Sequence, residues 1–383
     1  MKVTVAPDSF KESLSSVEAA SAIAQGVRRA AAAAEVVLVP MADGGEGTTE
    51  AIAEATGGTY HRAEVSDPLG RSIASTWGLC GDGETAVIEM ARASGLELLE
   101  SAERNPMLTS TCGTGEMIRA ALDHGVRRII VGIGGSATVD GGTGMAAALG
   151  VKFLDAEGRQ IARCCGGSLA EIRDIDVGGL DPRIEDTEIL VACDVTNPLT
   201  GPDGAARTYA PQKGATAEQT EQLEEGLCAL AHLVRERLGA DVLSLPGGGA
   251  AGGLGAGLVA FLGARLQSGV ETVMDAVRLP EKMAGSDLVI TAEGRLDWQS
   301  AFGKTVAGVA TAAWEQGIPV VALAGSLGQG YDHIYEQGVC AAFPILDRPM
   351  PLDAALAEAR PLLARAAESV MRLWLAARGG VDE

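Results

Sequence analysis

Aromatic residues are scarce, at 3% of 383 positions, so the stacking platforms that single-stranded nucleic acid requires are missing. Positive charge is also short: 30 Lys and Arg stand against 51 Asp and Glu, a formal charge of -21. A field of that sign repels a duplex or an anionic membrane, and it excludes nucleic acid and the membrane surface as partners. The four histidines, His61, His124, His232 and His333, lie neither beside one another nor beside an acidic motif, which argues against a His-ligated metal. No C-x-x-C pair occurs among the seven cysteines. An odd, scattered set gives neither a disulfide framework nor a zinc cluster and reads as buried apolar residues in a reducing compartment. The opening MKVTVAPDSF has no apolar run of the signal-peptide kind, and the expected location is the cytoplasm. Residues 242–264 carry no charge over 23 positions, yet eight of them are Gly and one is Pro, a poor composition for a membrane helix.

What the chain does have is 47% apolar residues and 51 glycines. Single cores stop growing at roughly 250–300 residues, so two domains are expected. Val3–Val5 and Val36–Val39 are short β-branched runs, each entering a loop of acidic and small residues. Between them Ser15 and Glu18 form a capping-box pattern, with Ile23 and Val27 on an apolar face. Strand, helix and strand in about forty residues indicate a parallel βαβ unit. The same pattern returns in 287–294, 318–326 and 339–346, with a helix over 305–316 and a closing helix over 352–378. The middle differs, with alternating residues over 60–79 and strands joined by long glycine-rich connections. The expected fold is therefore α/β: a discontinuous doubly wound parallel-sheet domain, Rossmann- or flavodoxin-like, of residues 1–62 and 282–383, with a second α/β domain of residues 63–281 inserted into it.

Several loops carry chemistry. GIGGSATVDGGTGMAAALG (132–150) follows a strand and enters an alanine-rich helix. Such a loop cradles an anion through its backbone N–H groups and the helix N-terminus, although its order is not the dinucleotide fingerprint. A second cluster, PGGGAAGGLGAG (246–257), fits either a nucleotide or close backbone packing. EGRLDWQSAFGKT (293–305) ends in Gly-Lys-Thr, but Trp298 stands where a phosphate-binding P-loop has Gly. Glu293, Arg295, Asp297 and Lys304 there follow a buried strand, and ligands of open α/β sheets gather at the carboxyl ends of strands. Asp8, Ser9 and Lys11 leave the first strand, and Asp43 leaves the second. CDVTNPLTGPDGAARTYAPQKGA (193–215) adds Asp194 and Asn197, a pair suited to Mg²⁺ and an alcohol.

Taken in order, APDSFK (6–11), MADGGEGT (41–48), EMARASGLELL (89–99), GTGEMI (113–118), GIGGSAT-x-DGG (132–142), DVTNPL-x-GP-x-GAA (194–206), PQKGA (211–215), AAGGLGAG (250–257), EGR-x-D (293–297) and ALAGS (322–326) resemble the bacterial glycerate kinase family. Val139 departs from the Asn usual there, and Ala292 from a Gly. The resemblance implies ATP-dependent phosphorylation of D-glycerate with Mg²⁺, most often at the 2-hydroxyl. The residues themselves do not choose between the 2- and the 3-hydroxyl.

On this reading Gly134, Gly135, Ser136, Thr138, Asp140, Gly141 and Gly142 hold the nucleotide phosphates, and Asp194 and Asp140 hold Mg²⁺. Lys11, Arg295 and Lys304 bind the carboxylate and the moving phosphoryl group. Asp194, Asp297 and Asp43 compete to act on the hydroxyl, Asp194 first, while Asp8, Ser9, Asn197 and Glu293 complete the substrate site. Groups from both domains imply closure over the substrate. Two other classes stay open: an α/β serine hydrolase using Ser326, from the near-elbow Ala324-Gly325-Ser326-Leu327-Gly328, and a non-catalytic nucleotide-binding regulator. The oligomeric state is open as well, a homo-oligomer included.

Overall fold

The computed structural model describes residues 1–301 and 304–379. Among these, thirteen strands form: β1 Lys2–Val5, β2 Glu35–Leu38, β3 Thr59–Ser66, β4 Ser72–Leu79, β5 Thr85–Glu89, β6 Arg128–Gly132, β7 Lys152–Leu154, β8 Asp174–Asp176, β9 Glu188–Ala192, β10 Arg265–Gln267, β11 Leu288–Leu296, β12 Val320–Leu327 and β13 Val339–Pro344. The chain divides into two compact units, Met1–Asp43 with Glu50–Gly57 and Val273–Glu383, and Gly44–Thr49 with Gly58–Thr272. The limits of 62 and 282 read from the sequence fall inside β3 and inside the helix Leu279–Met283.

The first unit is an α/β layer around a five-stranded, wholly parallel sheet in the order β2-β1-β11-β12-β13. That is the flavodoxin-like order 2-1-3-4-5, assembled from both parts of the chain. Val3, Val5, Leu288, Ile290 and Leu323 point into a core shared with helices Ser16–Ala30 and Ala359–Ala377. Their neighbours Thr4, Val289, Thr291, Val320 and Ala322 are buried too, so both faces of the sheet are covered, which is why its strands read as continuous apolar runs. Helix Ser16–Ala30 begins at the expected box: the Ser15 hydroxyl accepts from the Glu18 amide, and the Glu18 carboxylate accepts from the Ser15 amide. It crosses Ala359–Ala377 at Gly26, where a Cβ would lie 2.1 Å from the Ala364 carbonyl oxygen. The closing helix expected over 352–378 is two helices, Leu352–Ala357 and Ala359–Ala377.

The second unit contains a six-stranded mixed sheet, β10-β9-β6-β5-β4-β3, antiparallel through β3, β4 and β5 and parallel from β5 to β10, with β7 and β8 as a separate hairpin. Its core gathers Trp77, Ile88, Met117, Ile129, Met145, Phe153 and Leu227. The uncharged stretch of 242–264 supplies helix Ala250–Leu262, whose first turn is broken by left-handed backbone at Ala251, Gly252 and Gly253. Gly252 lies so close to the 138–140 segment that a Cβ would fall 1.9 Å from the Thr138 carbonyl oxygen. Here the second glycine cluster serves close packing of backbone on backbone. No helix among the described residues is long and apolar enough to cross a membrane.

Candidate active site

In the first unit the strand order reverses between β1 and β11, the topological switch point outside which open α/β sheets bind their ligands. Asp8 stands just past β1, its amide donating to the Ala292 carbonyl at 2.7 Å. Glu293 stands in β11 itself. The Asp8 carboxylate accepts from the Ser9 amide at 2.6 Å and from the Thr305 hydroxyl. Burial, reinforced by the Asp43 charge, pushes the Asp8 carboxyl up to about 6.

Glu293 is 9% exposed, and among the described residues its Oε1 has no hydrogen-bond partner. Burial raises its carboxyl to about 7 against a Ser300 hydrogen bond; the Asp8 charge adds to the rise, and Lys304 opposes it. Two carboxyls held near neutrality at a switch point is the arrangement that proton-transfer chemistry needs. Asp297 pairs with Arg295 at 3.2 Å, leaving the guanidinium largely exposed. Lys11 is exposed on the turn that pairs Phe10 with Leu14, a turn that places Glu12 in left-handed backbone at φ 64°. Asp8, Ser9, Asp43, Glu293, Asp297, Arg295 and Lys304 thus gather around the strand ends of one sheet. Thr305, whose hydroxyl holds Asp8, was missed in the sequence; its only signal was its place after Lys304 in the Gly-Lys-Thr triplet. Phe302 and Gly303 of that segment lie outside the described residues.

In the second unit the expected phosphate loop divides in two. Gly134 and Gly135 are exposed past β6, whereas Ser136, Thr138, Asp140, Gly141 and Gly142 are buried. Asp140 is corrected as a metal ligand. Its Oδ2 accepts from the Thr111 amide and hydroxyl, both at 2.8 Å, and from the Gly144 amide at 3.2 Å, and its Oδ1 accepts from the Gly142 amide at 3.1 Å. A carboxylate so surrounded by internal donors organises its own loop. Gly141 and Gly142 are corrected in the same way: a Cβ on Gly142 would meet the Gly257 backbone at 3.0 Å, and the Gly141 amide donates to the Gly252 carbonyl. Asn197 is also internal, its amide donating to the Asp203 carbonyl at 2.8 Å and accepting from the Tyr209 hydroxyl at 2.7 Å.

Asp194, exposed past β9, accepts at Oδ1 from the Gly269 amide at 2.8 Å and the Ser268 hydroxyl at 3.3 Å. Ser326 lies within β12, in register with Arg295 on β11. The sharp strand-to-helix elbow that a hydrolase serine requires is not there.

The glycerate kinase family model matches residues 3–375. The chain belongs to this family. A glycerate kinase from Halalkalibacterium halodurans is 51% identical over 96% of this chain and 97% of its own length, and a glycerate 2-kinase from Escherichia coli is 49% identical over 97% of each. The crystal structure of a Salmonella typhimurium LT2 protein, named as a candidate glycerate kinase 2, superposes with a TM-score of 0.91 at 48% identity, covering 99% of this chain and 100% of that one. Membership makes the protein an enzyme, a kinase, and the hydrolase and non-catalytic readings fall away.

Proposed function

We propose that this chain transfers the γ-phosphoryl group of ATP to the 2-hydroxyl of D-glycerate, giving 2-phosphoglycerate and ADP. The observation that supports the acceptor is the 49% identity, over 97% of each chain, to a glycerate 2-kinase; the Asp8–Glu293 carboxyl pair at the β1/β11 switch point, raised to about 6 and about 7, supports the proton transfer. The reaction forms a bond from the glycerate 2-oxygen to the γ-phosphorus and breaks the bond from that phosphorus to the β,γ-bridging oxygen. The hydroxyl proton goes to a carboxylate, and Glu293, whose Oε1 has no hydrogen-bond partner among the described residues, takes that role in place of Asp194. Burial, with the charges of Asp8 and Asp297, raises its proton affinity.

Lys11, Lys304 and Arg295 bind the glycerate carboxylate and the charge developing on the transferred group, because phosphoryl transfer asks mainly for alignment and neutralisation. Mg²⁺ takes hard oxygen ligands and is commonly held by one or two carboxylates plus substrate phosphates. The exposed carboxylate of Asp194, oriented by two donors on Oδ1, fits that donor set. When bound there, the ion neutralises phosphate charge. Gly134, Gly135 and Ser136 receive the phosphates.

The test is ADP release with D-glycerate, L-glycerate or no acceptor, with and without Mg²⁺, followed by ³¹P NMR of the product. Turnover confined to D-glycerate with a 2-phosphoglycerate resonance is expected. A 3-phosphoglycerate resonance would reassign the acceptor oxygen, and folded protein that binds ATP but turns over no glycerate isomer would overturn the substrate.

A further inference from the structure

Lys213 closes the 3₁₀ turn Pro211–Lys213 in the second unit and is 3% exposed. A lysine out of water is costly where a methionine would fill the same volume, so what its ammonium touches is informative. Nζ donates to the Ser136 hydroxyl at 2.5 Å and to the Thr138 carbonyl at 2.7 Å. Both belong to the segment behind the exposed Gly134–Gly135 pair. That segment is pinned on its other side by the Leu96 amide on the Gly135 carbonyl and the Ala137 amide on the Ser94 carbonyl, each at 2.9 Å. A hydroxyl oxygen that accepts from a lysine keeps its own proton to give. The chain's charge of -21 opposes a polyphosphate, and a cation in a dry setting acts on an adjacent anion far more strongly than one in water.

We infer that Lys213 is the positioning cation behind the 134–136 phosphate loop: it holds Ser136 so that its hydroxyl donates to the polyphosphate, and it takes up a proton when ATP binds. The inference rests on the proposed reading of that loop as the phosphate site.

The surroundings agree. Burial brings the Lys213 ammonium down to about 7, against the pull of the Asp140 carboxylate. Behind Asp140 stand Cys112 and Cys164, whose thiols burial pushes up to about 11 and about 12, so both are neutral. Arg104 packs its backbone against the Gly214 turn next to the lysine. An arriving polyanion stabilises the protonated lysine, so binding and protonation are linked. At pH 8 the lysine is mostly neutral before binding, while phosphate groups, with a second pKa near 6, are already ionised.

Calorimetric titration of MgATP into the full-length protein at pH 8, in two buffers of different ionisation enthalpy, counts the protons taken up. The wild type is expected to take up a substantial fraction of one proton for each ATP bound. Lys213→Met should abolish the uptake and weaken ATP at least about tenfold. Lys213→Arg, which keeps the charge and cannot lose it at this pH, should abolish the uptake while still binding ATP more tightly than Lys213→Met, so the result does not depend on the Met variant folding. ATP binding without proton uptake by the wild type would overturn the inference and leave the kinase reading standing. Uptake that persists in either variant would also overturn it, assigning the proton to Asp8 or Glu293. Wild-type protein that binds no ATP would overturn both readings together.

Discussion

Replacing Glu293 with Gln should stabilise the protein while disabling it. Burial and the Asp8 charge raise the Glu293 carboxyl from 4.5 to about 7, so the native state holds this proton more tightly than the unfolded chain does. Stability is therefore lost as pH rises from about 4.5 through about 7, and above that the native state carries an ionised carboxylate it disfavours. Each tenfold difference in proton affinity is about 1.4 kcal/mol, which puts the cost near 3 kcal/mol at pH 8. Gln is neutral at every pH and nearly the same shape. At about 2–4 °C per kcal/mol for a unit of this size, the transition of the first unit should move up by about 6–12 °C at pH 8 and by almost nothing at pH 4. Differential scanning calorimetry at both values, with ADP release measured in parallel, reads the two consequences. A variant less stable than wild type at pH 8, or a gain that is the same at pH 4, would show that the carboxyl is not held near neutrality. Full activity in the variant would remove Glu293 from proton transfer.

Lys11→Ala is expected to lose about a hundredfold in kcat/KM, corresponding to roughly 3 kcal/mol of transition-state contact, and a loss under about fivefold would remove it from the mechanism. Asp140→Ala strips a buried carboxylate from four donors; thermal denaturation should show the second unit weakened by about 3–5 kcal/mol, equally with and without Mg²⁺, whereas a metal-dependent difference would restore Asp140 as a ligand. Gly26→Ala puts a methyl group 2.1 Å from the Ala364 carbonyl oxygen and should cost about 2 kcal/mol in urea denaturation despite the better helix propensity of Ala.

The fold was legible because its strands announce themselves. The βαβ opening, the capping box at Ser15 and the late apolar runs each follow from local physics, and a sheet buried on both faces needs strands apolar throughout. The acids past β1 and within β11 were legible as a group, since strand ends of one parallel sheet are where ligands gather. The glycine loops were harder. A glycine needed for an approaching phosphate and one needed for an approaching backbone look alike, and only exposure separates Gly134 and Gly135 from the buried Gly141 and Gly142. The sequence likewise reads Asp140 as a Mg²⁺ ligand because nothing near it signals that Thr111, 29 positions earlier, brings two donors to it. Lys213 was visible in PQKGA, yet its burial against Ser136, 77 positions away, is a tertiary fact.

The pairing of β1 with β11 also governs the order in which the molecule can be made. Ala6 and Thr291, joined by a hydrogen bond, are 285 positions apart, and between them lies nearly all of the second unit. On a ribosome releasing some 5–20 residues each second, β1 waits on the order of tens of seconds beside β2 with its inner edge unpaired. The inserted unit meanwhile completes its own sheet from contiguous chain. The half of the enzyme that bears Glu293 is thus the last to exist, and its first strand must stay out of wrong pairings until β11 arrives to cover it.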